Sequence, residues 1–169
     1  MADRTNDIEA VVRAAVEALD VGYDALPCDP ALADTAAFCE HYGVAPEDSA
    51  NAIVVVGKAD PRVYVCCVVL ASTRLDVNGT VRRRLGTRKA SFASADETLE
   101  LTGMAIGGVT PFGLPPDLPV WIDHRVMARE RVVVGGGSRA LKIRVDPAAL
   151  ARLPAAEVVE SLATEPPPA

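Results

Sequence analysis

The chain opens with apolar and polar residues in a helical repeat. Apolar side chains recur every three or four positions over residues 8–19, and Asn6 or Asp7 stands where a helix cap is expected. A short strand is expected next, over residues 21–26. The start of the chain therefore predicts an amphipathic helix followed by a strand.

Two pairs of apolar, β-branched runs predict β-hairpins. The runs 53–56 and 63–70 are joined by the turn sequence GKADPR, and the runs 131–134 and 140–145 by GGGSR. All four runs are expected to share one sheet. Two shorter strands are expected at 90–93 and 120–122.

Helices are expected between the strands, wherever caps or helical spacing occur. Ser94 and Glu97 match a capping box, and the pair Asp29–Pro30 is typical of a helix start. The expected helices after the first are 29–43, a short one after Pro46, 76–85, 94–102, one beginning at Pro147, and 155–162.

Strands and helices do not alternate regularly, unlike the pattern of a doubly wound fold. We expect an α+β fold, with a curved, mixed, largely antiparallel sheet and helices packed around it. A length of 169 residues favours one domain, residues 1–163. The sequence TEPPPA at 164–169 is expected to be a disordered tail.

Composition narrows the class of protein. Half of the residues are hydrophobic and only 4% are aromatic, so a core of Val, Leu, Ile and Ala is expected. The start MADRTNDIEA does not resemble a signal peptide, and no run approaches the roughly 20 apolar residues of a membrane span. The cysteines lack metal-site spacing, and buried reduced thiols favour a cytoplasmic protein. They are Cys28, Cys39, Cys66 and Cys67, the last two expected on opposite faces of a strand.

Charge is unevenly distributed along the chain. The formal net charge of −6 argues against a general nucleic-acid binder, and DNA is not an expected partner. Residues 61–144 nevertheless contain thirteen bases and seven acids, against three bases and twelve acids in residues 1–60. The densest basic cluster is either a solvated helix face or a surface that attracts phosphates. It comprises Arg82, Arg83, Arg84, Arg88 and Lys89.

The segment LTGMAIGGVTPFGLPP, residues 101–116, contains four glycines, three prolines and no charge. Gly107 and Gly108 let the backbone approach a ligand closely and direct consecutive N–H groups at one acceptor. Pro111 then fixes the path of the chain. We expect this glycine loop to line a concavity, although a tight structural connection is the alternative. No Gly-Lys-Ser/Thr follows, so the loop is not a P-loop.

Five segments form an ordered set of motifs over roughly residues 30–150. They are FCEHYGVAPEDSANAIVVV, LDVNGTVRRRLGTRKASFA, TGMAIGGVTPFG, WIDHRVM and VVVGGGSRALKIRV. This set resembles the YbaK/EbsC family of aminoacyl-tRNA deacylases, which is related to the editing domain of bacterial prolyl-tRNA synthetases. The glycine-loop motif is the most specific part of the resemblance.

The resemblance implies a role in translation proofreading. Family members hydrolyse the ester between a wrong amino acid and the terminal adenosine of a tRNA, through the substrate's own ribose hydroxyl and an ordered water. It implies no metal, no cofactor and no membrane. The 3′ end of an aminoacylated tRNA is the expected partner, with a tRNA synthetase as a second candidate. A non-catalytic binding module of the same fold, or hydrolysis of a small ester other than tRNA, are the alternatives.

The resemblance also implies site residues. Gly107 and Pro111 match a Gly-x-x-x-Pro element that approaches the aminoacyl carbonyl. Asn51 stands where many members have lysine, and Gly135 where they have Ser or His; both departures favour the binding module. The expected catalytic positions are Asn51, Gly107, Gly108 and Pro111. The expected substrate-binding positions are Thr102, Gly113, Asp123, Gly135 and Gly136, and the expected tRNA contacts are Arg82, Arg83, Lys89 and Arg139.

Several of these side chains have structural alternatives. Asp123 could cap a following turn, Thr102 could end a helix, and Arg139 could be an exposed turn arginine. The histidines His41 and His124 are expected in surface or structural roles.

Overall fold

A computed structural model describes residues 2–166, with side chains from residue 7 onward. Within the expected tail 164–169, Thr164 is paired in a strand, and residues 167–169 lie outside the described part of the chain. The helices formed by the described residues are all too short or too polar to cross a membrane.

Helices and strands are short and follow one another closely. The helices are α1 (Ala2–Glu17), α2 (Thr35–Tyr42), α3 (Arg82–Leu85), α4 (Ala95–Thr102), α5 (His124–Met127) and α6 (Ala148–Ala151). The strands are β1 (Tyr23–Pro27), β2 (Ala50–Gly57), β3 (Val63–Leu70), β4 (Arg74–Leu75), β5 (Ala90–Phe92), β6 (Val120–Asp123), β7 (Val132–Gly135), β8 (Leu141–Val145), β9 (Ala156–Val159) and β10 (Ala163–Thr164). Short 3₁₀ turns occupy Pro30–Leu32 and Pro46–Asp48, and a π-helical turn, Val77–Val81, leads into α3.

The strands form a mixed α+β fold, which confirms the expected fold class. A five-stranded sheet has the order β5-β2-β3-β6-β9, in which β6 runs parallel to β3 and to β9. A three-stranded antiparallel sheet has the order β1-β8-β7, and β4 pairs with β10. Both predicted hairpins, β2–β3 and β7–β8, are confirmed.

The expectation that the two hairpins share one sheet is wrong. They belong to separate sheets, and a single bridge between Ser49 and Val133 connects them. The bridge joins β7 to the residue just before β2, and no backbone pairing between β7 and β2 themselves occurs within the described residues. A cavity can therefore open between β2 and β7.

The larger hydrophobic cluster lies between the two sheets and under α1. It contains Val12 and Val16 of α1 together with side chains of β3, β6, β7 and β8. Cys66 belongs to this cluster and its neighbour Cys67 to a second one on the other face of β3, as predicted. All four cysteines are buried and unpaired. Burial raises the pKa of the Cys66 thiol to about 12, so this thiol stays protonated.

Two helix starts differ from expectation. The first helix begins at Ala2, so Asn6 and Asp7 lie inside it rather than at its cap. Asp29 caps only a 3₁₀ turn, through the Ala31 N–H, and α2 begins separately at Thr35. The predicted end at Gly43, in the left-handed conformation, is confirmed.

The helix predicted over residues 155–162 is wrong. The segment forms β9, which pairs in parallel with β6, and then turns into β10. Alanine and glutamate favour helices in isolation, but Val158 and Val159 favour a strand, and an open sheet edge at β6 was available. Tertiary pairing therefore overrides local helix propensity here.

Candidate functional site

A cavity of about 340 Å³ lies between β2, the glycine loop and the end of β7. Its wall is mainly apolar, with backbone from Ile106 and Gly107 on one side. The prediction that the glycine loop lines a concavity is therefore confirmed. Phe92 and Ile106, which are 59% and 50% exposed, line the cavity and place an apolar rim at its mouth.

Asn51 lies in the cavity wall near the start of β2. Its side-chain oxygen accepts a hydrogen bond of 2.5 Å from the hydroxyl of Thr35, the first residue of α2. Asn51 and Thr35 also line a second cavity, beside Cys39 and Ala71, so their contact separates the two spaces. The Asn51 amide nitrogen makes no hydrogen bond to any described residue, which leaves two N–H donors for a ligand.

Lys142 brings a buried cation to the cavity. The side chain is 7% exposed, and its Nζ donates to the carbonyls of Ala33, at 2.8 Å, and Gly107, at 2.9 Å. The ring of Phe38 lies 5.3 Å from Nζ, within range of a cation–π contact. Burial lowers the pKa of Lys142, because the charged form loses its hydration. Sequence reasoning missed this lysine, since it stands within an apolar strand pattern.

The two central glycines of the loop have different roles. Gly107 has a φ of 93° and lines the cavity. The Gly108 N–H donates to the Ala105 carbonyl at 2.9 Å, so it closes a turn instead of facing a ligand. Gly108 is also packed against backbone, because a Cβ there would lie 2.6 Å from the Ser138 carbonyl carbon. The expectation that both N–H groups point at one acceptor is therefore wrong for Gly108, and for Gly107 it stays a prediction.

Arg139 is partly exposed and makes several contacts within the fold. Its guanidinium donates to the Pro30 and Ile106 carbonyls, at 3.0 and 2.9 Å, and to the Asp34 carboxylate at 3.0 Å. These three acceptors occupy the Nε and one terminal nitrogen, and the other terminal nitrogen has no partner among the described residues. Arg139 is therefore more than a plain exposed turn arginine, and the expected contact with tRNA stays a prediction.

The other loop and turn glycines provide close backbone packing. A Cβ on Gly135 would lie 2.8 Å from the Gly108 carbonyl oxygen and closer still to that of Val109. Gly135 also lines the cavity, whereas Gly136 packs against Leu141. The glycine loop thus fills the space that a side chain at position 135 would occupy.

Three more predicted site residues lie away from the cavity lining. Gly113 packs against Val11 of α1, and Pro111 is buried in the loop beyond the cavity. Thr102 ends α4, where its hydroxyl donates to the Thr98 carbonyl at 2.7 Å and accepts from the Met104 N–H. For Thr102 the structure supports the helix-terminal alternative.

Asp123 is a structural carboxylate. It is fully buried, accepts from the Ala163 N–H at 3.2 Å and contacts Arg125 at 3.3 Å. It therefore holds β10 beside β6 instead of facing the cavity. His124 is half-exposed and accepts from the Ser161 N–H through Nδ1, in keeping with a structural role.

The basic cluster divides into engaged and exposed side chains. Arg82 donates to the Asn78 and Thr87 carbonyls, and Arg84 stacks on Trp121 while it pairs with Glu157. Arg83 and Lys89 are exposed. Lys89 lies three residues before Phe92, so it is within about 10 Å of the cavity mouth along an extended chain.

Besides Lys142, four polar residues of the cavity lining were not predicted, namely Asp34, Thr35, Ser49 and Thr98. Thr35 was not selected because one continuous helix was expected over residues 29–43, which gave it no special position. Thr98 was not selected because it lies inside a helical pattern. Thr98 is buried in the cavity wall, and its hydroxyl has no hydrogen-bond partner within the described residues. Among those residues, no three His, Cys, Asp or Glu side chains converge as metal ligands would.

This combination of a mixed fold and a glycine-lined cavity has a counterpart among known proteins. The sequence profile of the aminoacyl-tRNA editing domain matches residues 29–153, which include every cavity residue described above. The chain therefore belongs to the aminoacyl-tRNA editing domain family.

Individual relatives are more distant. The uncharacterized protein YwhH of Bacillus subtilis (strain 168) is 33% identical over 108 residues, which are 64% of this chain and 66% of YwhH, just under two thirds of its length. A crystal structure of a proposed trans-editing enzyme for prolyl tRNA synthetase has a TM-score of 0.78 at 26% identity, covering 94% of this chain and 97% of that one. The hypothetical protein APE2540 has the same TM-score at 24% identity, over 88% and 97% of the two chains, and shows the fold alone.

Proposed function

We propose that this chain is a trans-acting aminoacyl-tRNA deacylase, which hydrolyses the ester of a misacylated tRNA. The observation that carries the proposal is the convergence of the Gly107 backbone, the Asn51 amide and the Lys142 ammonium on one cavity. Membership of the editing family supports it. The active unit would be one folded domain that extends through β10 to Thr164, acting on charged tRNA in the cytoplasm.

The cavity provides groups for each part of ester hydrolysis. Water attacks the ester carbonyl carbon, and negative charge develops on the carbonyl oxygen. The bond to the ribose oxygen then breaks, and that oxygen takes up one proton from the attacking water, which releases the amino acid and the tRNA. The Gly107 N–H would donate to that carbonyl oxygen, and the nearby Lys142 charge would favour the same negative charge. The Asn51 amide would orient the attacking water or a ribose hydroxyl. No metal or cofactor enters this scheme.

The tRNA would remain outside the cavity, and its 3′ end would enter at the mouth. The exposed ring of Phe92 is placed to stack on an unpaired base. Arg83 and Lys89 would then contact the acceptor-stem phosphates. A tRNA synthetase could deliver the substrate as a second partner.

A non-catalytic binding module is the second candidate function. It is favoured by the composition of the cavity, because no histidine lines it within the described residues and its carboxylate, Asp34, is paired with Arg139. Such a module would use the same contacts to hold an aminoacylated end without cleaving it.

A deacylation screen separates these functions. Wild-type protein is mixed in excess with a panel of tRNAs, each esterified with a cognate or a wrong amino acid, and the remaining ester is followed over time. The proposed function predicts rapid loss of at least one misacylated ester and slower loss of the cognate one. A stable ester throughout the panel, together with tight binding of an amide-linked analogue, would establish the binding module instead.

A further inference from the structure

The glycine turn at the cavity has both of its central carbonyl groups held by cations. The Ile106 carbonyl accepts from Arg139 and the Gly107 carbonyl from Lys142, each at 2.9 Å. Both cations extend from the β7–β8 hairpin, Arg139 from its turn and Lys142 from β8.

The remaining peptide groups of the turn show which donor is left. The Gly108 N–H is used by the Ala105 carbonyl. The Gly107 N–H has no partner within the part of the chain that the structure describes. The Ile106–Gly107 peptide is trans, so its carbonyl and its N–H point in opposite directions. Fixing the Ile106 carbonyl on Arg139 therefore aims the Gly107 N–H away from Arg139.

The two cations are themselves anchored to one segment. Arg139 also contacts the Pro30 carbonyl and Asp34, and Lys142 also contacts the Ala33 carbonyl. The Arg139–Asp34 pair is partly exposed and weak as an ion pair, so the directional bonds to backbone carbonyls matter more. Residues 30–34, the two cations and the glycine turn thus form one connected hydrogen-bond network.

We propose that Arg139 and Lys142 are positioning residues, which orient the Gly107 peptide so that its N–H meets the substrate's ester carbonyl oxygen. The inference rests on the proposed deacylase function. It assigns to Arg139 a role in the rate of hydrolysis instead of a contact with tRNA phosphate. The planar guanidinium is needed because one side chain must reach three acceptors at fixed angles.

The test compares two substitutions at Arg139 with a matched arginine outside the cavity. Arg139→Lys keeps the charge but cannot reach all three acceptors, and Arg139→Ala removes every contact. The control is Arg129→Ala, since Arg129 contacts Asp48 through two nitrogens, at 2.9 and 3.0 Å, and lies beside a different cleft. Single-turnover hydrolysis, tRNA affinity and circular dichroism are measured for each variant.

The expected result is a loss of rate without a loss of binding. We expect about tenfold slower hydrolysis for Arg139→Lys and about 10²-fold for Arg139→Ala, no more than the roughly 10²–10³-fold loss seen when an oxyanion donor itself is removed. Guanidinium added at a non-denaturing concentration should restore part of the hydrolysis rate of Arg139→Ala. If Arg139 had only a structural role outside the site, added guanidinium would not restore the rate. In NMR spectra, the chemical shift of the Gly107 amide should change in Arg139→Lys and remain at its wild-type value in Arg129→Ala.

Two results would overturn the inference. One is hydrolysis at the wild-type rate by a folded Arg139 variant. The other is an Arg139 variant that hydrolyses bound substrate at the wild-type rate but binds tRNA more weakly and with less dependence on salt. That result would make Arg139 a phosphate contact. If wild-type protein hydrolyses no ester, the proposed function fails and this inference fails with it; an active wild type with unaffected variants defeats the inference alone.

Discussion

At the scale of single residues, the cavity wall combines backbone groups with polar side chains that are buried or half-buried. Lys142 and Arg139 donate to the Gly107 and Ile106 carbonyls, and the amide nitrogen of Asn51 has no partner among the described residues. Sequence reasoning predicted a concavity lined by Gly107 and a polar position at Asn51, and both residues line the cavity; their motifs are local. It missed Lys142 and the contacts that Arg139 makes within the fold, because the partners of both lie more than thirty residues away along the chain.

Gly135 tests how closely the glycine loop packs on β7. An alanine Cβ there would overlap the Val109 carbonyl oxygen, so Gly135→Ala should destabilise the fold by about 1–3 kcal/mol through overpacking. The matched control is Gly22→Ala, where a Cβ meets nothing within 4 Å. Urea unfolding of both variants measures the difference, and equal stabilities would mean that the loop moves freely away from β7.

The contacts of Asp76 predict part of the loss of folding stability at low pH. Its carboxylate accepts from the Gly79 and Thr80 N–H groups, and these bonds lower its pKa below the ordinary value of 3.8. The Asp76 carboxyl therefore binds a proton more readily in the unfolded chain than in the folded protein. Its contribution to the free energy of unfolding is present above about pH 4 and is lost as the pH falls below that value. Asp76→Asn should therefore lose less stability than wild type between pH 5 and pH 3, measured by urea unfolding. A parallel loss in both proteins would contradict this.

At the scale of elements, the capping box, the glycine helix ends and the β-branched runs gave correct predictions. The caps expected at Asn6 or Asp7 and at Asp29, and the long-range pairing of strands, were not predicted correctly. The capping box of α4, the glycine ends of α2 and α3, and both hairpins were predicted from neighbouring residues. The strand β9 was predicted as a helix, because its partner β6 is distant in sequence. The division into two sheets was also missed, since strand runs do not encode which sheet they join.

The capping box of α4 gives an element-scale prediction. Ser94 accepts from the Glu97 N–H at 3.0 Å, and α4 carries Thr98 in the cavity wall. Ser94→Ala should cost about 1 kcal/mol of stability, because the first turn loses one of its partners. Ser91→Ala, in the adjacent strand β5, is the control, and chemical denaturation is the measurement. A loss no greater than that of the control would show that the cap is dispensable.

At the scale of the whole molecule, the proposed tRNA partner is a polyanion, and a protein with a net charge of −6 would attract it through a local basic surface. Arg83, Arg88 and Lys89 are exposed, whereas Arg82 and Arg84 make contacts within the fold, and only Lys89 precedes a residue of the cavity mouth closely. The sequence could locate the basic cluster, but only the structure separates its available charges from its occupied ones.

That surface predicts a salt-dependent contribution to binding. Replacing Arg83 and Lys89 with glutamine should weaken tRNA binding and reduce the slope of log affinity against log salt by about 1–2, because two fewer counterions are released. The control replaces Arg131, which precedes β7, and Arg152, which follows α6, with glutamine. Affinities are measured over a salt series, and identical slopes for the two double variants would assign the cluster to solvation.

The most direct test of the account is the single-turnover rate at which wild type, Asn51→Ala and Asn78→Ala release the amino acid from the best substrate of the panel. Asn78 is an exposed asparagine outside the cavity, so its variant makes the same chemical change elsewhere. The account predicts that Asn51→Ala is at least tenfold slower, since it removes a polar group that orients the reacting atoms, and that Asn78→Ala matches wild type. A folded Asn51→Ala protein that releases the amino acid as fast as wild type would contradict the claim that this cavity is where the ester is cleaved.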